Sequence, residues 1–145
     1  MMHNKAIVLV EDNEDDEKLT LMAFEKNGIA NKIIVLRDGE EALDYLFGTG
    51  PYADRDLGDK PQVIMMDLKL PKIGGLEVLK KIREDDRTKY LPVVILTSSK
   101  EDQDIIQAYN LGTNAYVRKP VDFIHFIEAI KQLGLFWLIL NEYPR

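Results

Sequence analysis

Three apolar runs in this chain end on residues able to do chemistry. Ile7–Val10 runs into Glu11 and Asp12, Val63–Met66 into Asp67, and Ala115–Arg118 into Lys119 and Pro120. A further run over 93–96 delivers Thr97. If these runs are neighbouring parallel strands, their carboxyl ends place three acids, a lysine and a hydroxyl in one crevice, where open α/β sheets bind ligands. Carboxylates crowded in this way raise one another's pKa unless a cation neutralises them. An all-oxygen set without His or Cys favours magnesium, which keeps several waters and takes one or two carboxylates plus phosphate oxygens. With the negative charge screened, Asp67 can attack an incoming phosphoryl group and hold it as an acyl phosphate. Lys119 and the Thr97 hydroxyl can then bind its outer oxygens.

Taken singly, each residue has an ordinary structural use. An aspartate after a strand is more often a turn former or helix cap, and Glu11-Asp12 could simply open the helix that Asn13 caps. A lysine such as Lys119 is most often solvated, and a strand-end threonine such as Thr97 most often bonds to backbone. Tyr116 reads as a half-buried strand aromatic and Pro120 as a helix-start proline. His3 and His125 are not at strand ends and read as surface or helix-face residues. Pro71 and Gly74-Gly75 shape a turn. The functional reading rests on coincidence, because the four groups sit at the carboxyl ends of separate strands.

The elements that must position these groups follow from periodicity. Short apolar runs alternate with stretches of helical spacing, the pattern of parallel strands joined by crossover helices. Strands are expected near 6–10, 32–36, 63–66, 93–96 and 115–117. Asn13 and the acids after it predict a capped helix with Leu19, Met22 and Ala23 facing inward. A second helix follows Asp38-Gly39, presents Ala42, Leu43, Leu46 and Phe47, and ends at Gly48. A third carries Leu76, Leu79 and Ile82. Ser99 and Asp102 are spaced as a capping box for a fourth helix, which Gly112 closes. The last presents Phe123, Phe126, Ile127, Ile130 and Leu133. The unbroken apolar run at 63–66 predicts a central strand covered on both faces. Residues 48–61 are rich in Gly, Pro and Asp and read as a long surface loop.

Composition narrows the class. The chain has 145 residues, 46% of them apolar, enough for one domain with a sizeable core. There are no cysteines, so disulfides and thiolate metal sites are excluded. Nineteen basic residues against 25 acidic ones give a net charge of −6, with no long-range pull toward nucleic acid. Neither a signal-like start nor a long uncharged apolar span is visible, so a cytoplasmic protein with no membrane contact is expected.

On these residues the chain resembles the receiver domain of two-component response regulators over roughly its whole length. The resemblance implies an α/β, flavodoxin-like, doubly wound sheet of five parallel strands in the order 2-1-3-4-5 with five flanking helices. It matches Glu11 and Asp12 to the acidic pair that organises the metal, and Asp67 to the aspartate phosphorylated by a sensor histidine kinase. It matches Thr97 to the switch hydroxyl and Tyr116 to the rotating aromatic. Lys119 corresponds to the family's invariant-type lysine, followed by a cis-prone proline at Pro120. The backbone carbonyl of Lys69 corresponds to a third metal ligand, and Pro71 and Gly75 to the turn after the acceptor. Glu11 departs from the commoner pair of aspartates. The Lys69 side chain sits where the family tunes dephosphorylation.

The loop 48–61 and the segment Gly134-Leu135-Phe136-Trp137-Leu138 resemble the phytochrome-associated subgroup of stand-alone regulators. The implied protein is a single receiver domain over 1–145, with a core over about 5–133 and a C-terminal helix extension over 134–145. It takes phosphate on Asp67 with Mg2+, signals by a surface change to a downstream protein partner, and is not an enzyme beyond self-catalysed phosphotransfer and autodephosphorylation. Phe136, Trp137 and Leu138 are mostly core residues by type, yet could also build a homodimer contact.

Other classes fit less well. An aspartate-nucleophile phosphohydrolase needs a second acid two residues after the nucleophile, where this chain has Lys69. A flavin module needs a hydroxyl- and glycine-rich loop after the first strand, where Glu11 to Asp16 would repel phosphate. A docking-only pseudo-receiver is disfavoured because acceptor, acids, hydroxyl and lysine are all present.

Overall fold

The computed structural model describes residues 5–98, 101–119 and 123–134. The elements are β1 (Ile7–Val10), α1 (Glu14–Lys26), β2 (Ile33–Leu36), α2 (Gly39–Phe47), β3 (Val63–Met66), α3 (Gly75–Glu84), β4 (Val93–Thr97), α4 (Asp102–Asn110), β5 (Ala115–Arg118) and α5 (Phe123–Gly134), with one 3-10 turn at Gly50–Tyr52. All strand pairs are parallel, in the order β2-β1-β3-β4-β5. This is the doubly wound, flavodoxin-like order expected from the resemblance, with its direction reversing between β1 and β3.

Alternation along each strand feeds two cores. Val8, Val10, Ile64, Met66, Val93 and Ile95 face α2 and α3, where Ala42, Leu46, Val78, Leu79 and Ile82 are buried. Ile7, Leu9, Val63, Met65, Val94 and Leu96 face the other layer, with Ala23 and Phe24 of α1 and Phe126 and Ile130 of α5. Every residue of β1, β3 and β4 is buried, as the absence of polar alternation in 63–66 predicted. Val10 lies level with Met66, so the residues that follow them, Glu11 and Asp67, leave the sheet side by side.

The structure corrects several local expectations. In α1 the buried residues are Thr20, Ala23 and Phe24, while Met22 is 49% exposed. Position 22 is about 200° around the helix from both 20 and 24, so it cannot share their face. On α2 and α3, Ala42, Leu46, Leu79 and Ile82 are buried as foreseen and Tyr45 and Val78 are buried as well, whereas Leu43, Phe47 and Leu76 are only partly buried. The α4 helix starts at Asp102 with Glu101 as its N-cap residue and no side-chain capping bond, so the Ser99-Asp102 box is not its start; Ser99 itself lies outside the described residues. The end of α4 is as expected: Leu111 is the C-cap, and Gly112 after it closes the helix with φ +95°. The side chains of Phe123 and Leu133, and the whole of Pro120 and of Phe136, Trp137 and Leu138, also lie outside the described residues.

The segment 48–61 folds back on α2. Gly48 adopts φ +66° and ends that helix in the left-handed conformation. The Tyr52 hydroxyl donates to Glu41 Oε2 at 2.8 Å, and Arg55 Nε donates to the Tyr45 carbonyl at 2.7 Å. The Arg55 guanidinium also covers the Tyr45 ring at 4.0 Å, and Tyr52 meets that ring edge-on at 5.2 Å. Among the described residues no helix is long and apolar enough to cross a membrane.

Candidate active site

The carboxyl ends of β1, β3 and β5 converge. Lys119, one residue past β5, donates from Nζ to Glu11 Oε1 at 2.6 Å, Asp16 Oδ2 at 2.7 Å and Asp67 Oδ2 at 2.9 Å. The lysine and Asp67 side chains are 10% exposed and Glu11 is 2% exposed, so these charges interact largely out of water. The Lys119 backbone N–H donates to the Thr97 carbonyl at 2.8 Å, which ties the end of β5 to the end of β4. Thr97 is fully buried at the last position of its strand, level with Arg118. Tyr116 is half-buried against the α2–α3 core.

Backbone donors fix the Asp67 carboxylate. Asp67 Oδ1 receives the N–H of Leu68 at 2.6 Å and of Lys69 at 3.3 Å. The following turn closes tightly, with the Gly75 N–H donating to the Leu68 carbonyl at 2.8 Å. A Cβ on Gly75 would stand 2.3 Å from the Asp67 carbonyl oxygen, so only glycine fits there. Lys72 in this turn has φ +67°, and its ammonium lies 3.6 Å from Asp38, the N-cap of α2. Pro71 also accepts from the Gly39 N–H at 3.2 Å, so the turn leans on the start of α2.

Burial is the main influence on Glu11. It pushes the carboxyl pKa up, against the hydrogen bond from Lys119, and nearby Asp67 pushes it the same way. Burial alone would lower Lys119, but its bonds to Asp16, Glu11 and Asp67 outweigh that and hold it above the usual lysine value. The site therefore favours a charged lysine.

Asp12 and Asp16 are not where the sequence reading put the emphasis. Asp12 is exposed at the rim. The carboxylates whose oxygens come within 4.8 Å of one another, among the described residues, are Glu11, Asp16 and Asp67. Sequence reading treated Asp16 only as a first-turn acid of α1. The available signal was its place at the third helical position after Asn13, whose side chain accepts the Asp16 N–H at 2.9 Å and turns that position back toward the end of β1. Lys69 is exposed, and His125 is exposed on α5; His3 lies outside the described residues.

The donor set fits a hard divalent cation. Glu11 and Asp67 offer converging carboxylate oxygens, with Asp12 beside Glu11 at the rim and no nitrogen or sulfur donor among them, which suits magnesium or manganese. Ionised, three carboxylates against one ammonium leave two negative charges, which one such ion neutralises.

The chain is similar to known proteins over most of its length. The family description "Response regulator receiver domain" matches residues 7–131. The chain is 40% identical over 141 residues to the probable methanogenesis regulatory protein FilR2 of Methanothrix harundinacea, covering 95% of this chain and 86% of that one. It is 35% identical over 134 residues to response regulator Rcp1 of Synechocystis, covering 92% and 89%. The Mn2+-bound crystal form of Rcp1 superposes with a TM-score of 0.87, at 34% identity over 97% of this chain and 99% of that one. The phosphorylated cyanobacterial phytochrome response regulator RcpA superposes with a TM-score of 0.88, at 36% identity over 97% and 99%.

Proposed function

Because the chain belongs to the response regulator receiver family of two-component signalling proteins, we propose that it takes a phosphoryl group on Asp67 from the phosphohistidine of a sensor histidine kinase. One carboxylate oxygen of Asp67 attacks phosphorus, the P–N bond breaks, and the imidazole leaves with the bonding pair. The observation that carries this reading is the ammonium of Lys119 at 2.9 Å from Asp67 Oδ2, in a pocket it shares with Glu11. There it binds the outer oxygens as they arrive. Leu68 N–H holds the other carboxylate oxygen, which orients the nucleophile.

A divalent cation, Mg2+ in the cell, would be held by Glu11, Asp67, Asp12 from the rim and the Lys69 carbonyl, and would neutralise charge between nucleophile and phosphoryl oxygens. The Mn2+-bound Rcp1 supports a metal in this family's site. Thr97 then donates to a phosphoryl oxygen and Tyr116 follows it inward, shifting the α4–β5 surface toward a second state read by a downstream protein. The kinase is of phytochrome type, by analogy with RcpA. In this reading residues 1–145 form one receiver domain acting in the cytoplasm, without nucleic acid or membrane. Its own chemistry is limited to accepting phosphate and losing it again to water. Phe136, Trp137 and Leu138 provide the candidate homodimer contact.

The test is incubation with Mg2+ and a small phosphodonor, followed by intact mass measurement. The native chain gains one phosphoryl group and Asp67→Asn does not. An equal gain in both would place the acceptor elsewhere.

A further inference from the structure

Lys119 has three N–H bonds and three carboxylate partners at 2.6, 2.7 and 2.9 Å. A phosphoryl oxygen that needs this ammonium must therefore take the place of a partner. Glu11 is held within the sheet end, 2% exposed, with its second oxygen accepting the Asn13 N–H at 3.3 Å. Asp67 is the acceptor, so its bond to the ammonium passes to the phosphoryl group it carries, and a second phosphoryl contact has to displace Glu11 or Asp16. Asp16 is different, since its side chain is 37% exposed and opens onto solvent. Its backbone is pinned at both ends, the N–H to Asn13 Oδ1 and the carbonyl to the Thr20 hydroxyl, each at 2.9 Å. Rotation of the side chain alone thus frees the ammonium without disturbing α1.

We propose that Asp16 is a resting-state counter-ion of Lys119 that gives up the ammonium when Asp67 is phosphorylated, and so sets how tightly the site keeps its phosphoryl group. This rests on Asp67 being the acceptor. Two effects act in the same direction. Asp16 competes for one of three N–H bonds, and its carboxylate, whose oxygen lies within 4.8 Å of the acceptor oxygens, repels the charge that phosphorylation adds. Sequence gives it no acceptor role, and the geometry gives it a regulatory one.

The experiment compares the native chain with Asp16→Asn and Asp16→Ala. Beryllofluoride is titrated at saturating Mg2+, with the Mg2+ affinity of each variant measured separately by competition against Mn2+ in electron paramagnetic resonance so that saturation is assured. Both variants are expected to bind beryllofluoride about three- to tenfold more tightly and to hold the aspartyl phosphate longer. Without metal, hydrogen exchange of the Lys119 ammonium, followed by 15N NMR, is expected to quicken in both. Unchanged or weaker beryllofluoride binding in the two variants overturns the proposal, as does unaltered ammonium exchange. Intact mass with Asp67→Asn separates the two readings. A mass gain that persists in Asp67→Asn removes the acceptor assignment itself, whereas its loss together with unaltered Asp16 variants removes only the role of Asp16.

Discussion

Replacing Lys119 by alanine leaves Glu11 and Asp67, both nearly out of water, without the ammonium that joins them. Breaking a buried pair from one side is costlier than never having formed it, so Lys119→Ala is expected to lose about 3 kcal/mol of stability. Urea unfolding measures this, and Mg2+ should restore more stability to the variant than to the native chain because it substitutes for the missing charge. The variant is still expected to take up phosphate, since the nucleophile is intact, but to show no change in near-UV signal or elution volume. A normal shift would remove Lys119 from the switch. At this scale the sequence was informative about residue type and silent about reach. Glu11, Asp67 and Lys119, which the structure brings together, could be named from their positions at strand ends. Asp16 could not, because a first-turn acid has the same appearance whether it faces water or a lysine 103 positions away.

The elements impose their own tests. Gly75 begins α3 where an added Cβ would lie 2.3 Å from the Asp67 carbonyl oxygen and 2.8 Å from Leu68 Cα. Both are backbone atoms and cannot swing aside. Gly75→Ala is therefore expected to cost about 2 kcal/mol or more and to slow phosphoryl uptake by moving the acceptor, as phosphodonor kinetics would register. The loop that returns to α2 gives a pH signature. Burial first, then the hydrogen bond to Glu41, raises Tyr52 to about 12 from the usual 10.0. Because the folded value is the higher one, the stabilisation is complete below pH 10.0 and is lost as pH rises through about 12. A tyrosinate absorbance titration should show a late component near that pH that Tyr52→Phe lacks. Strands were legible to within a residue because three of them are apolar throughout. Helix faces were less so, as Met22 shows, because an apolar residue on the solvent side satisfies the same spacing from one neighbour. The tether through Tyr45, Tyr52 and Arg55 was hidden because contacts between a loop and a helix leave no periodic trace.

Across the whole molecule the topology was the most legible feature: the alternating strand and helix patterns pointed to a parallel sheet with crossover helices, and its strand order came from the family that the charged strand ends resemble. The order of strands sets which ends meet: β1 and β3 are neighbours although β2 lies between them in sequence, and the site opens where their connections part to opposite faces. Ile106 and Tyr109 of α4 are exposed apolar side chains on the helix whose surface is proposed to change on phosphorylation. The pairing of Lys119 with Glu11 spans 108 positions and depends on the last strand to be synthesised. A nascent chain still lacking that strand has its nucleophile in place but nothing opposite to gather the charge. Competence to pass a message on thus arrives only with the finished sheet, and half-made copies stay mute.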